Sequence, residues 1–301
     1  PPPRQVGGGR WREDLVAEAQ RAIRKESKSF AFASRLLDKP TRERAWLLYA
    51  WWRRCHDIAE GQGDAQGAHG ALVDDHWIRA IRVLTRRALE GEPTADPAFD
   101  SFGQVAMEAS LDEQLARDAI EGFAFRVAHW EPRTESDLMR YCYHLGGAPA
   151  VMMARIMGAQ ADDEETLDRA CDFGLAFQLI EIARDLSYDS AAQPCYLPEE
   201  WLAQADIPPG ELMKPQFRPQ AVALAERLLD LAERHEAVAR LGTGGMSFRQ
   251  RWAVLTASNS YLALAGKIRR RGAGAWNHRA RIRLLARLGA MVEGWFEALD
   301  F

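Results

Sequence analysis

The sequence predicts an all-α protein, and two features of its apolar pattern support this fold class. Apolar residues recur at the three- and four-residue spacings of amphipathic helices along most of the chain. The strict alternation of apolar and polar residues that indicates a half-buried strand is scarce. The 301 residues are 47% hydrophobic and 27% charged, an ordinary globular composition with enough chain to bury a large core.

The helices of the first half are marked by apolar spacing and by proline and glycine. An amphipathic helix is predicted over residues 11–25, and the segment 27–30 interrupts it. Pro40 is a start signal for a long, largely apolar helix over residues 41–58. A surface-type helix over residues 74–90 ends near a glycine and a proline. Two further helices are predicted over residues 99–108 and 112–129.

The second half begins with a strongly apolar helix that contains helix-breaking residues. This helix is predicted over residues 135–157, with Gly146, Gly147 and Pro149 breaking or kinking its middle. Another long helix is predicted over residues 164–186. A proline-rich loop over residues 193–219 is then followed by helices over residues 220–240, 247–271 and 278–299.

No repeat of fixed period and no sharp boundary divides this helical pattern. We therefore predict a flexible N-terminal tail over residues 1–10 and a single helical domain over residues 11–301. The four cysteines lie far apart without a Cys-x-x-Cys pair, which argues against a zinc ribbon and indicates reduced thiols. No apolar run approaches the ~20 residues that cross a bilayer, so we expect a cytoplasmic protein.

The overall charge gives no reason to expect a polyanionic partner. The net charge is -4 and the pI is near 6.0, so nucleic acid is not an expected ligand. A basic stretch over residues 267–271, together with Arg279, Arg281 and Arg283, is expected to be a solvated helix face. Peripheral contact with the inner face of a membrane is the alternative interpretation of this stretch. The sequence does not specify an oligomeric state.

Two long helices carry acidic residues at the end of a very apolar segment. The first ends in His56, Asp57 and Glu60, which lie within one helical turn. Surface salt bridging is the plain alternative, because Arg53 precedes Asp57 by four residues.

In the second acidic helix, Glu181, Asp185 and Asp189 stand at i, i+4 and i+8, and therefore on one face. Here too a salt bridge, between Glu181 and Arg184, is the alternative. Three carboxylates on one face repel one another unless a cation lies between them. Magnesium suits such a face, because it takes oxygen ligands from one or two carboxylates and completes its shell with water and substrate phosphates. The two helices together predict a site for a metal-bound diphosphate.

Five short blocks follow one another in a definite order along the chain. They are Ser27-Lys28-Ser29-Phe30, Tyr49-Ala50-Trp51 with Arg53, Tyr141-Cys142-Tyr143-His144, Leu175-Ala176-Phe177-Gln178-Leu179 with Ile182-Ala183-Arg184-Asp185, and Cys195-Tyr196-Leu197-Pro198. In order and spacing these blocks resemble the motifs of the phytoene synthase and squalene synthase family, and most of all those of bacterial phytoene synthases. The resemblance covers nearly the whole chain from about residue 27.

The resemblance implies a fold, a reaction and a set of site residues. The fold is the isoprenoid synthase type, a bundle of helices around a central cavity with the two acidic motifs facing each other. The reaction is the head-to-head condensation of two geranylgeranyl diphosphates through a cyclopropyl diphosphate to phytoene, without a reductant. Catalytic roles are implied for Tyr49, Arg53, Tyr141, Gln178, Arg184 and Tyr261. Substrate contacts are implied for Ser27, Lys28, Ser29, Phe30, Pro149 and Ala150. Metal ligands are implied at Asp57, Glu60, Glu181, Asp185 and Asp189, with Mg²⁺ as the metal and Mn²⁺ as an alternative.

The sequence departs from the family pattern at the site itself. His56 replaces the leading aspartate of the first motif, and Glu181 replaces an asparagine of the second. These changes predict a redistribution of metal ligands between the two motifs. Pro149 and Ala150 replace a small residue and a glycine in the helix that lines the prenyl tunnel, and Arg126 stands where an aspartate is common. Two alternatives therefore stay open: an enzyme that transfers a single prenyl group to another acceptor or cyclises it, and a silent relative that acts as a binding or assembly protein.

Overall fold

A computed structural model of the chain describes residues 6–26, 33–59, 71–186, 194–282 and 284–299. For residues 71–75 it describes the backbone only. Every regular element in these ranges is helical, so the all-α prediction is confirmed. The α-helices are α1 (Arg12–Glu26), α2 (Lys39–Ala59), α3 (Ala71–Leu89), α4 (Pro97–Ala109), α5 (Glu113–Val127), α6 (Glu135–Cys142), α7 (Ala148–Met157), α8 (Glu164–Asp185), α9 (Glu199–Gln204), α10 (Arg218–Arg240), α11 (Phe248–Arg271) and α12 (Leu284–Leu299).

The helix ends follow local capping chemistry. Asp112 precedes α5 and accepts a hydrogen bond from the Leu115 amide, at 2.7 Å, which satisfies one donor of the first turn. Thr134 and Asp137 form a capping box at the start of α6. At these two helices the observed starts, Glu113 and Glu135, lie within one residue of the predicted ones.

Two predicted boundaries in the second half are wrong. The loop predicted over residues 193–219 contains α9, whose six residues are too few to show a helical period but bury Trp201 completely. The last helix begins at Leu284 and not at residue 278, because the residues before it form a turn and an irregular segment.

The predicted kink between residues 135 and 157 is present as a π-helical segment, Tyr143–Gly147, between α6 and α7. Pro149 has no amide hydrogen to donate to the carbonyl of residue 145, and a wider turn accommodates this loss. Gly146 lies against Gly174 of α8, where a methyl group on Gly174 would come within 2.1 Å of the Gly146 carbonyl oxygen. Glycine at both positions therefore lets the two backbones touch.

Contacts divide the chain into two compact units, Pro1–Ala128 with Met152–Asp163 and His129–Val151 with Glu164–Phe301. The prediction of one domain over residues 11–301 stays a prediction. Of the predicted N-terminal tail, residues 1–5 lie outside the described ranges. At Gly7–Gly9 the structure has a 3-10 turn, and Arg10 donates to the buried Asp100 at 3.1 Å.

The core of the first unit is built from aromatic rings of α2, α4 and α5. Trp51 is fully buried and stacks on Phe102 with ring centroids 4.1 Å apart. Its indole N–H donates to the hydroxyl of Thr85 on α3 at 3.1 Å, so the polar atom of this buried ring is satisfied.

The core of the second unit is formed where α8, α10 and α11 pack with α12 and the π-helical segment. The indole of Trp276, which lies between α11 and α12, donates to the carbonyl of Ala183 near the end of α8 at 3.0 Å. This bond anchors the segment after α11 to the acidic end of α8.

Candidate functional site

The first acidic motif lies at the C-terminal end of α2, in the first unit. Asp57 forms an ion pair with Arg53 one turn earlier, with Oδ1 2.7 Å from Nη2. The Nδ1 atom of His56 lies 4.0 Å from the same oxygen, and its ring meets the edge of Phe123. The surface salt bridge that the sequence left open for Asp57 is therefore present. Glu60, the other predicted ligand of this motif, lies outside the described residues.

The second acidic motif lies at the C-terminal end of α8, in the second unit. The guanidinium of Arg184 bridges its two acids, donating to both oxygens of Glu181 and both of Asp185. Its Nη1 lies 2.6 Å from Glu181 Oε1, and its Nε lies 3.0 Å from Asp185 Oδ1. The salt bridge that was the alternative interpretation of Glu181 is thus also present, and it extends to Asp185. Asp189 lies outside the described residues.

A second arginine, far away in sequence, reaches the same carboxylate. Arg279 donates from Nε to Asp185 Oδ1 at 2.9 Å and from Nη2 to Oδ2 at 2.8 Å. This planar two-point contact fits the geometry of a guanidinium and a carboxylate. The sequence placed Arg279 on a solvated helix face; the residue is exposed, but it lies outside a helix and forms a specific ion pair. The two residues are 94 positions apart, so no local pattern could have revealed the pair.

The pKa values of the two neighbouring acids, Glu181 and Asp185, are shifted in opposite directions. Burial raises the pKa of Glu181, with Arg184 opposing the shift and the negative charge of Asp185 adding to it. Burial also acts to raise the pKa of Asp185, but hydrogen bonds from Arg184 and Arg279 outweigh it and hold that pKa below its ordinary value. Asp185 is therefore the more firmly ionised member of the pair.

The face of α8 that carries these acids continues toward the π-helical segment. Gly174, Gln178, Glu181 and Asp185 lie along it at helical spacing. Gln178 is half-buried, and its Cβ would lie 3.1 Å from a methyl group on Gly146. The predicted residues Gln178, Glu181, Arg184 and Asp185 are thus brought together on α8, next to the narrow contact with the π-helical segment.

An aromatic pair lies beside this face. Tyr261 of α11 stacks on Phe177 with ring centroids 4.2 Å apart and planes 11° from parallel. Burial raises the pKa of the Tyr261 hydroxyl, and the negative charge of Glu181 adds to the shift. The phenol therefore stays protonated at neutral pH and close enough to Glu181 to sense its charge. The structure thus places Tyr261 next to the acidic face.

Tyr141 has a different environment. It is buried and stacks on Tyr196 with ring centroids 4.5 Å apart, which joins α6 to the Cys195-Tyr196-Leu197-Pro198 block. Beyond the π-helical segment, Pro149 and Ala150 are half-buried in the first turn of α7. The structure puts Tyr49 and Arg53 half-buried on α2, two turns and one turn before Asp57. Ser27, Lys28, Ser29 and Phe30 lie outside the described residues.

The described carboxylates suit a divalent cation in type but are occupied by arginine. Each oxygen of Asp185 accepts one bond from Arg184 and one from Arg279, which uses all of its roughly four lone-pair positions. Glu181 accepts one hydrogen bond from Arg184 on each oxygen, so each oxygen keeps acceptor capacity. Over the described ranges, no group of three or more histidine, cysteine, aspartate or glutamate side chains is arranged to hold a metal. The oxygen donors fit magnesium, provided that an arginine leaves Asp185.

Similar proteins identify the family. The family model for squalene/phytoene synthase matches residues 23–286. The chain is 39% identical to the phytoene synthase of Pseudescherichia vulneris over 88% of this chain and 86% of that protein. It is 38% identical to the 15-cis-phytoene synthase of Paracoccus sp. (strain N81106 / MBIC 01143), over 94% and 91%.

Solved structures show the same fold. A dehydrosqualene synthase crystallised with a ligand has a TM-score of 0.84 at 21% identity, over 96% of this chain and 98% of that one. The squalene synthase HpnC from Alicyclobacillus acidocaldarius has a TM-score of 0.73 at 21% identity, over 87% and 95%. The predicted isoprenoid synthase-type helical fold is confirmed. The chain belongs to the squalene/phytoene synthase family.

Proposed function

We propose that this chain is a phytoene synthase, a prenyl-transferring enzyme that joins two molecules of geranylgeranyl diphosphate head to head. The observation that carries this conclusion is the 38–39% identity to phytoene synthases over most of the chain. No observation favours the two alternatives, transfer of a single prenyl group or a silent binding protein.

The reaction consists of two ionisations. In the first, the bond between C1 and the diphosphate oxygen of one molecule breaks, and the double bond of the second molecule captures the allylic cation. Loss of a proton closes a cyclopropane that still carries one diphosphate. In the second, this diphosphate leaves, the cation rearranges, and loss of another proton gives phytoene. Two diphosphates and two protons are released, and no reductant is consumed.

Both ionisations need positive charge around the leaving diphosphate. Family membership implies dependence on a divalent metal. We propose Mg²⁺, with Mn²⁺ as the alternative, and propose ligands in each acidic motif by itself: Asp57 in the first, and Glu181 and Asp185 in the second. When bound, the metal neutralises the charge that develops on the diphosphate oxygens. Glu60 and Asp189, which flank these residues in the sequence, complete the proposed ligand set.

The two arginines that bind Asp185 have different proposed tasks. Arg184, with its side chain only 14% exposed, holds Glu181 and Asp185 at a fixed separation and is a positioning residue. Arg279 is more exposed and binds Asp185 from a separate segment, so its guanidinium would also be placed to bind a diphosphate oxygen. It would then supply positive charge next to the leaving diphosphate.

Apolar and aromatic side chains protect the carbocations. The stacked faces of Phe177 and Tyr261 lie beside the acidic end of α8 and offer π electrons to a cation. Burial keeps the Tyr261 hydroxyl un-ionised, so it does not compete as a nucleophilic anion. Pro149 and Ala150 follow the π-helical segment and are proposed to contact the prenyl chain.

Incubation of the purified chain with geranylgeranyl diphosphate tests this function. With magnesium and a mild detergent, and without a reduced nicotinamide, we expect phytoene and two equivalents of inorganic diphosphate. The product is identified by chromatography and mass spectrometry. Consumption of the substrate to a product with one prenyl chain, or no consumption at all, would contradict the proposal.

A further inference from the structure

Helix α12 packs against α11, within the second unit, through its small residues. Ala290, Gly294 and Ala298 are buried at four-residue spacing. A methyl group on Gly294 would lie only 2.9 Å from the backbone nitrogen of Thr256 on α11. The indole of Trp252 also donates to the carbonyl of Met291 at 2.8 Å. The small side chains let α12 approach α11 closely, so the attachment of the helix is specified by its inner face.

The outer face of α12 is apolar, whereas the solvent-facing side of an ordinary amphipathic helix is polar. Its large apolar residues point to solvent at spacings of three and four, and we call this set the apolar face. It consists of Leu284, Leu285, Leu288, Val292, Trp295, Phe296 and Leu299, which are 37% to 81% exposed. On a helical wheel they cover a continuous arc with no charged residue inside it. A contiguous exposed apolar surface of this kind marks an interaction site.

The charge around α12 is strongly segregated. Residues 237–292 contain no aspartate or glutamate and eleven lysines and arginines, in a chain whose net charge is -4. Arg270, Arg271 and Arg281 are exposed within this segment. Lys267 donates to the carbonyl of Arg281 at 2.6 Å, which holds the basic end of α11 beside the segment that leads into α12. Positive charge is therefore concentrated at the N-terminal end of the apolar face.

We propose that α12 binds the surface of a bilayer that contains anionic lipids. The helix lies parallel to the membrane, with the apolar face in the boundary between headgroups and acyl chains and the neighbouring arginines on the lipid phosphates. Among the described helices none is both long enough and apolar enough to cross a bilayer.

Charge decides between a membrane and a second copy of the chain as the occupant of this face. A second copy docking through α12 would bring a second set of the exposed arginines Arg270, Arg271 and Arg281 to the contact, where like charges repel. Anionic headgroups instead supply opposite charge. Trp295 and Phe296 add aromatic rings of the kind that settle at the lipid–water boundary. A chain bound to a bilayer could also release an apolar hydrocarbon product directly into the lipid. This last point rests on the proposed function, and the preceding ones do not.

Flotation of the full chain with lipid vesicles tests the proposal. Vesicles of phosphatidylcholine alone are compared with vesicles that also contain phosphatidylglycerol. We expect at least about tenfold stronger partitioning to the anionic vesicles, weakening as salt is added. The triple variant Leu285→Gln, Val292→Gln, Phe296→Gln should lose at least about tenfold in partitioning, because three large apolar side chains no longer enter the bilayer.

A matched variant and two further measurements keep the test decisive. Trp11→Gln with Met107→Gln removes exposed apolar residues of the first unit and should bind vesicles like the unaltered chain. Circular dichroism checks that the variants fold. Equal vesicle binding by the triple variant, equal binding to neutral vesicles, or a dimer in sedimentation velocity that the triple variant dissolves would each overturn the proposal. Phytoene formation in detergent micelles, measured on the same samples, separates failure of this inference from failure of the proposed function.

Discussion

At the scale of single residues, Asp185 is held by competing partners. It accepts four hydrogen bonds from Arg184 and Arg279, and those arginines hold its pKa low. A metal ion that binds Asp185 must displace at least one of them. The two arginines balance the charge of Glu181 and Asp185 in this structure. In the proposed metal site, the affinity for metal is therefore expected to depend on Arg279 as well as on the acids.

Replacement of Arg279 tests this competition. Arg279→Gln should bind Mn²⁺ about fivefold more tightly in the absence of diphosphate, since roughly 1 kcal/mol of a half-exposed ion pair no longer opposes the metal. Calorimetric titration measures the change. Arg281→Gln is the control, because it removes an exposed arginine two residues away that is not among the partners of Asp185. Unchanged or weaker metal binding by Arg279→Gln alone would contradict the competition.

Glu181 stands where the family pattern has an asparagine, and this change was predicted to redistribute the metal ligands between the two motifs. If its carboxylate is a ligand, Glu181→Ala should require at least about tenfold more magnesium for half-maximal turnover, or lose turnover completely. A magnesium titration of phytoene formation measures this. Glu165→Ala, at the exposed start of the same helix, should leave the titration unchanged. A Glu181→Ala enzyme with unaltered magnesium dependence would exclude Glu181 as a ligand.

At the scale of helices, the geometry of the acidic face depends on the contact between α8 and the π-helical segment. Gly174→Ala would place a methyl group 2.1 Å from the Gly146 carbonyl oxygen, and backbone must then move. We expect the free energy of unfolding to fall by about 1–3 kcal/mol. Gly289→Ala on the exposed side of α12 meets no atom within 4 Å and should raise it by roughly 0.5–1 kcal/mol. Denaturant unfolding compares the two, and equal effects would contradict the close approach of the two helices.

In the first unit, Arg12 joins three helices electrostatically. It donates to Glu43 of α2 and to Glu108 of α4, each at 2.6 Å. Burial acts to raise the pKa of Glu108, but hydrogen bonds from Arg12 and Gln104 outweigh it and the pKa lies below its ordinary value. A lowered folded-state pKa means that this stabilisation is present above the ordinary pKa of glutamate and is lost as pH falls through the lower folded value.

Arg12→Ala should therefore lower the free energy of unfolding by about 1–2 kcal/mol at pH 7. The difference should shrink as acid protonates Glu108. Arg117→Ala breaks an exposed pair with Glu113 within one helix and should cost less than about 0.5 kcal/mol. Urea unfolding at several pH values measures both variants. An Arg12→Ala effect that is independent of pH would contradict the ion-pair explanation.

At the scale of the whole molecule, the sequence predicted the features that depend on interactions between residues close together in the chain. Periodicity predicted the long helices, and Gly146, Gly147 and Pro149 predicted the irregularity that became a π-helical segment. Helix α9 escaped prediction because six residues are too short for a period to appear. The bond between Arg279 and Asp185 escaped because it depends on how α11 and the following segment return to α8. The outward apolar face of α12 also escaped, since periodicity identifies an apolar side but not which side is buried.

The central claim is that the acids of α8 hold the metal that binds the diphosphate. A crystal structure with manganese and an analogue of geranylgeranyl diphosphate tests it most directly. In this analogue sulfur replaces the oxygen on C1, so that no carbocation forms. Anomalous scattering locates the metal independently of the protein atoms. We predict manganese within bonding distance of a carboxylate oxygen of Asp185 or Glu181, with Arg279 moved from Asp185 to the diphosphate. Manganese bound away from these carboxylates, or diphosphate bound while Asp185 keeps both arginines and no metal, would contradict the claim.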